Sequence, residues 1–397
     1  MPALVSDEHR QHSEYISLLQ SQNLYPFCFE VTSPCNHRIV VANRECINFI
    51  SNNYLGFAGH PKLQEAAEAA VRQYGVGMGG SPLMCGTTEI HNRLKEKIAA
   101  VYGQQDTALF ASGYQALIGA IQATIGKGDA AMVDGLVHRS IVDGVTLSGS
   151  TRRVWVHNNM EDLSSLLTRV QSKYGRKLII VDSVYSMDGD IAPLPAIKKV
   201  RDQHGALVLI DEAHSLGVLG RNGRGILEHF DLPDGADVIA GTFSKFAGAV
   251  GGFVTGPKDF ILHLRHSASA YIFSASLPPV MCATVLKAFE LLEEEPQWRE
   301  LLWANTRYFL SGLKSQGFDT GLSETPIIPI MIRDVEKSIF FNRSIFEAGV
   351  YASPVVYPAV APSKCRIRLG VMATHTRDDL DAALEIFKKA GKEVGII

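Results

Sequence analysis

Long apolar runs are missing from this 397-residue chain. Although 46% of its residues are hydrophobic and its mean hydropathy is +0.06, Lys, Arg, Asp or Glu interrupts every apolar stretch. None reaches the ~18 residues that a membrane span requires, so no transmembrane segment is predicted. An excess of one charge is missing too: 38 basic residues against 41 acidic ones give a formal charge of -3. No global positive field recruits nucleic acid or anionic lipid, which leaves a small molecule as the expected partner. Cysteine is sparse. Cys28, Cys35, Cys46, Cys85, Cys282 and Cys365 form no C-x-x-C pair and have no histidine nearby at metal-ligand spacing, so reduced, mostly buried thiols and no metal site are expected. The start, MPALVSDEHRQ, carries two acids and lacks the apolar core of a secretory leader, which predicts a cytoplasmic location. Repeats and low-complexity tracts are absent, against a solenoid or a disordered scaffold. Glycine, by contrast, is plentiful at 35 residues, as in α/β enzymes whose sites are built from tight turns.

At ~150 residues per domain the length allows about two or three units. Tyr15, Ile16, Leu18 and Leu19 recur at helical spacing before Pro26, which suggests an N-terminal helical arm within residues 1–60. A second amphipathic helix spans 61–74 and runs into Gly75, Gly77, Gly79 and Gly80. Their G-x-G-x-G-G spacing invites a dinucleotide reading, but that fingerprint needs a strand before it and a helix after it. Here a helix precedes and Pro82 follows. Short apolar runs at 107–110, 130–133, 152–156, 177–182, 206–211, 237–240 and 252–255 alternate with helical patterns. They predict a mostly parallel sheet wrapped by helices, within a large domain over 61–285. Helices over 281–296 and onward to 316, strands at 327–332 and 365–371, and a closing helix over 377–389 predict a small α/β domain over 286–397.

Several strands end in residues that an apolar sheet would not otherwise place there. Leu207-Val208-Leu209-Ile210 runs into Asp211, and a buried carboxylate costs several kcal/mol unless a cation faces it. The next strand leads into Gly241-Thr242-Phe243-Ser244-Lys245, where one lysine stands among hydroxyls. Burial lowers the pKa of such a lysine, which suits it to Schiff-base chemistry, and the hydroxyls can hold a phosphate. Upstream, Ala111-Ser112-Gly113-Tyr114 opens an apolar helix and offers free N–H groups to a dianion. Each piece alone has an ordinary reading, as a helix cap, a surface lysine or a turn. Together, each after its own strand, they supply a phosphate cradle, a partner for a pyridinium and an amine. That combination points to pyridoxal 5′-phosphate.

The segments SNNYLGF (51–57), HRSIVDG (138–144), VYSMDGD (184–190), DEAHSLGVLG (211–220), GTFSK (241–245) and RIRLGVMATHT (366–376) resemble the α-oxoamine synthases. These are pyridoxal-phosphate enzymes of fold type I, the aspartate aminotransferase-like fold, that condense an amino acid with an acyl-CoA. The resemblance runs from about residue 25 to 389. HNNMEDL, ETPIIPI, FSASLPP and the ATHT ending look most like the bacterial serine palmitoyltransferase branch. Glycine C-acetyltransferase and 8-amino-7-oxononanoate synthase are somewhat less similar. A fold-type I aminotransferase or lyase would share Asp211 and Lys245 without needing an acyl-CoA.

The resemblance implies roles. Lys245 matches the lysine bonded to the cofactor, Asp211 the partner of its ring nitrogen, His214 a donor to its phenolic oxygen and His138 a histidine stacked on its ring. His138 is also implied as a hydrogen-bond donor to the acyl oxygen. Gly113, Tyr114, Thr242 and Ser244 match phosphate and positioning contacts, with Ser186 a further hydroxyl. Ser274 matches a phosphate contact across a homodimer interface, and Asn52 and Arg368 match positions near the amino-acid substrate. The expected reaction joins L-serine to a long-chain acyl-CoA and releases CoA and CO₂. One departure stands out: many relatives carry Ser-Arg after the glycine run, where this chain has Ser81-Pro82-Leu83-Met84.

Overall fold

The computed structural model describes residues 6–22, 24–357 and 359–397. The first five residues of the stretch read for a leader lie outside them. Strands β1 (Arg38–Val41) and β2 (Arg44–Asn48) form an antiparallel hairpin after the helix Asp7–Ser21. A seven-stranded sheet follows, built from β3 (Asp106–Phe110), β4 (Ala130–Asp134), β5 (Thr151–Trp155), β6 (Lys177–Asp182), β7 (Leu207–Asp211), β8 (Val238–Thr242) and β9 (Gly252–Gly256). Its order is β3-β9-β8-β7-β6-β4-β5, and β9 alone runs antiparallel to its neighbours. All seven strands expected from the sequence are present, in one mostly parallel sheet.

The residue patterns explain the order. Every residue of β4 and β6 is buried, as continuous apolar strands must be when helices cover both faces. At the edge, β5 alternates, with Arg152 and Val154 turned to solvent. The helix Gly113–Thr124 is apolar nearly all round and packs on the sheet. A Cβ at its Gly119 would come within 2.9 Å of the Phe110 ring, so a small residue is required there.

Toward the C-terminus, β10 (Ile327–Met331), β12 (Ser353–Val355) and β13 (Arg366–Gly370) form an antiparallel sheet, while β11 (Val350–Tyr351) pairs in parallel with β2. Phe49, Phe309, Phe341 and Phe387 anchor the core beneath them. Residues 38–48, expected as part of a helical arm, therefore pair with a strand some 300 residues away. The closing helix runs past the expected residue 389 to Val394. Gly391 is buried against Phe318 and serves packing, whereas Gly395, at φ 67°, makes the left-handed stop. The expectation of mostly buried thiols holds for Cys46, Cys282 and Cys365. Cys28 and Cys85, carried on loops, are exposed. Among the described residues no helix is long and apolar enough to cross a membrane.

Candidate active site

A cavity of about 300 Å³ opens at the C-terminal ends of β4, β6, β7 and β8, the edge where parallel sheets collect ligands. Its wall includes Gly113, Tyr114, His138, Ser186, Asp211, His214, Thr242, Ser244 and Lys245, all singled out from the sequence. Asp211 ends β7 and is buried. Its Oδ1 accepts the Ala213 N–H at 2.9 Å, and no hydrogen bond among the described residues engages Oδ2. Burial raises its pKa, against the opposing pull of the Lys245 ammonium. Lys245 stands on the turn after β8, half-buried. Desolvation pushes its pKa down to about 8, with Asp211 acting the other way.

A third ionisable group was not foreseen. Asp182 ends β6 directly across the ladder from Asp211, lines the same cavity and is buried. Burial first, and then the neighbouring Asp211 charge, hold its pKa well above the usual carboxylate range. Its Oδ1 accepts the backbone N–H of His138 at 3.3 Å. The signal for it was present, because KLIIVD ends as LVLID does.

The helix Gly113–Thr124 points its N-terminus into the cavity. Ser112 caps it by accepting the Gln115 N–H, which leaves the Gly113 and Tyr114 N–H groups unpaired within the helix. A Cβ on Gly113 would lie 2.6 Å from the Thr242 Cβ, so only glycine lets this turn meet β8. The Thr242 hydroxyl donates to the Gly251 carbonyl at 2.9 Å and lies 3.0 Å from the Ser244 hydroxyl. Backbone amides and hydroxyls thus converge as a dianion site requires. Tyr114 hydrogen-bonds outward to Asp143 at 2.7 Å.

His138 caps the helix Arg139–Ser148 and is exposed on the cavity wall, so the ordinary capping role and a place in the cavity go together. His214 is buried, with Nδ1 2.7 Å from the Tyr54 hydroxyl, and burial keeps its pKa well below the usual imidazole value. Tyr54, 160 residues earlier, also reaches Asn52 Oδ1 at 3.3 Å. Asn52 is therefore tied to the site through Tyr54 rather than placed on the cavity wall.

Arg368 is buried on β13 and is not a surface-facing strand arginine. Its Nε donates to the Ser186 carbonyl at 2.6 Å, its side chain also hydrogen-bonds the Tyr54 hydroxyl, and no carboxylate pairs with it among the described residues. Its charge lowers the pKa values of both His214 and Lys245. Ser274 stands off the cavity wall, where its hydroxyl accepts from Gln115 Nε2 at 3.2 Å.

The residues fit pyridoxal 5′-phosphate. A buried carboxylate with an open oxygen would hold the ring nitrogen, the cradle at Gly113 would take the phosphate, and the Lys245 amine shares the cavity with both. The chain matches the "Aminotransferase class I and II" family profile over residues 44–387. It is 43% identical to the 8-amino-7-oxononanoate synthase of Thermoanaerobacter pseudethanolicus over 97% of each chain. It is 40% identical to the serine palmitoyltransferase of Sphingobacterium spiritivorum, over 96% of this chain and 97% of that one. Among solved structures, a serine palmitoyltransferase with its pyridoxal-phosphate internal aldimine superposes with a TM-score of 0.95 at 34% identity, covering 100% of both chains. Fold and site define a fold-type I enzyme, and the chain belongs to the class I and II aminotransferase family. Within it the chain is an α-oxoamine synthase.

Proposed function

We propose that this α-oxoamine synthase joins the α-carbon of L-serine to the carbonyl carbon of a long-chain acyl-CoA, releasing CoA and CO₂ and giving a 3-keto long-chain base. Pyridoxal 5′-phosphate, held by Asp211, His214, Gly113, Tyr114, Thr242, Ser244 and Lys245 with Ser186 beside it, supplies the electron sink that makes negative charge at the α-carbon tolerable. Arg368, a buried cation without a carboxylate partner, binds the amino acid's carboxylate through its remaining N–H groups, and Asn52 completes that side through Tyr54. Lys245, with its pKa near 8, is partly neutral at pH 7 to 8 and takes the α-proton at Nζ. A positioned base of this kind contributes ~10²–10⁴-fold. His138 donates a hydrogen bond to the acyl oxygen as charge develops there. Forming the carbon–carbon bond breaks the thioester C–S bond, and loss of CO₂ then leaves the α-carbon to be reprotonated.

The observation that carries the reaction class is the meeting of Asp211, Lys245 and His138 in one cavity with Arg368 behind it. The long acyl chain is supported by the full-length superposition on serine palmitoyltransferase and by exposed apolar side chains. Val250 lines the cavity and is exposed, Val76, Met84 and Phe273 are exposed apolar residues as well, and Pro82 leaves no fixed cation in the run after the glycines. The same apolar residues suit a homodimer interface at which Ser274 reaches the second copy's phosphate. The 43% identity to an 8-amino-7-oxononanoate synthase favours a second reading, in which a different amino acid and an acyl group ending in a carboxylate are joined.

A spectral titration with serine, alanine and glycine, followed by thiol release from acyl-CoAs of increasing chain length, decides between the two. Serine with a long chain is expected to turn over fastest. Turnover only with alanine and a dicarboxylic acyl thioester would select the second reading, and no thiol release with any pair would remove both. Lys245→Ala should lose the visible absorbance of the bound cofactor and turnover together.

A further inference from the structure

Ser140 is fully buried and lines the cavity, yet its chemistry is absorbed by one neighbour. Its backbone N–H donates to His138 Nδ1 at 3.3 Å, the bond by which His138 caps its helix, and its hydroxyl lies 2.7 Å from the same nitrogen. We infer that Ser140 is a positioning residue that locks His138 in the tautomer carrying its proton on Nε2, so that the ring always presents a donor, never a lone pair, to the cavity. The inference rests on the role proposed above for His138 and adds the device that fixes it.

The geometry leaves one consistent assignment. A backbone N–H can only donate, so the nitrogen it points at must carry a lone pair. If Nδ1 bore the proton instead, two N–H groups would face each other. The Ser140 hydroxyl would then have to accept, and its own hydrogen would be left without a partner in a fully buried position, a desolvation penalty that native structures avoid. With the lone pair on Nδ1, both Ser140 donors are satisfied and the proton sits on Nε2. No hydrogen bond among the described residues engages Nε2, which is thereby left for a ligand. The same two donors oppose the imidazolium, since a doubly protonated ring has no lone pair to offer them.

Charged neighbours act on the ring from both sides. Asp211, Asp143 and, through its contact with the His138 backbone, Asp182 stand against Lys245. Partial desolvation by the cavity wall comes first and lowers its pKa. His60 supplies an internal comparison. It caps its helix by accepting the Lys62 N–H at 3.3 Å, but residue 62 brings no hydroxyl, so only the weaker half of the lock is present.

The test is ¹⁵N NMR of the histidine-labelled holoenzyme, with the His138 signals assigned by their loss in His138→Gln. The expected result is an unprotonated Nδ1 and a protonated Nε2 from pH 6 to 8. Ser140→Ala, which keeps the backbone donor and deletes the hydroxyl, should lower the tautomer ratio about five- to tenfold, the worth of one ordinary hydrogen bond, and raise the pH at which the ring titrates. Ser140→Thr, which keeps the hydroxyl, should restore both. A proton on Nδ1 in the wild-type enzyme would overturn the inference, and so would an unchanged ratio in Ser140→Ala. The wild-type measurement needs only the assignment variant to fold, and that variant leaves Ser140 in place. Turnover of His138→Gln tests the donor role itself and leaves the wild-type nitrogen shifts untouched, so failure of one reading is told apart from failure of the other.

Discussion

His157 closes a clamp whose strength can be worked out. Its Nδ1 lies 2.9 Å from Asp134 at the end of β4, and its Nε2 lies 2.8 Å from Asp190 in the turn that carries Ser186. Both carboxylates are buried, and the imidazole is about one-fifth exposed at 21%. Desolvation works against the imidazolium, but the two acids outweigh it and raise its pKa to about 9 from 6.5. At ~1.36 kcal/mol per pKa unit, that gap corresponds to about 3 kcal/mol of folding stability. Because the folded-state pKa is the higher one, the contribution is fully present below pH 6.5 and is lost as pH rises through 9. Replacing His157 with Gln leaves Asp134 and Asp190 near each other without their cation. The variant should therefore be less stable by about 3 kcal/mol at pH 6, and the difference should shrink toward the worth of neutral hydrogen bonds by pH 10. Urea denaturation of both proteins at several pH values measures this, and taking the difference cancels the other titrating groups, Lys245 among them. A difference that stays constant between pH 6 and pH 10 would refute the assignment of the clamp to a charged imidazole.

Two further predictions concern the cavity. Arg368→Ala removes the paired donors proposed for the substrate carboxylate; at ~1.5–3 kcal/mol per charge-assisted bond, amino-acid affinity should fall by about 10²-fold or more while the cofactor stays bound. Spectral titration reads the dissociation constant, and an unchanged value rejects that role. Gly113→Ala sets a methyl 2.6 Å from the Thr242 Cβ, and overpacking of roughly 1–3 kcal/mol should weaken pyridoxal-phosphate retention by about tenfold or more in dialysis. Wild-type retention would show that the cradle does not hold the phosphate.

The pieces legible in the sequence were those whose signal is local. Continuous apolar runs such as LIIV and LVLI announce buried parallel strands, and an aspartate at the end of each marks the edge where ligands gather. Lys245 and Gly113 sit in turns whose chemistry can be read from their immediate neighbours. What remained hidden depends on residues far apart in the chain. RIVV at 38–41 and RECIN at 44–48 are broken by charged residues and lack the alternation with helices that marks the large sheet, and it is pairing with each other and with Val350–Tyr351 that places them in a sheet. Gly391 looks like a helix stop until Phe318 is seen packed against it. Tyr54 has no local mark of its role, because its hydroxyl matters only once folding brings it to His214.

Charge follows the same division. The sequence by itself determined the strands of the large sheet, which residue types end them and hence which cofactor the site suits. Only the tertiary structure decided that Asp182 stands beside Asp211, that Arg368 is a buried cation held by the Ser186 carbonyl, and that Tyr54 meets His214. Backbone periodicity is set by neighbours a few residues away, whereas protonation and tautomer are set by burial and by the donors and charges that the fold brings within a few ångströms.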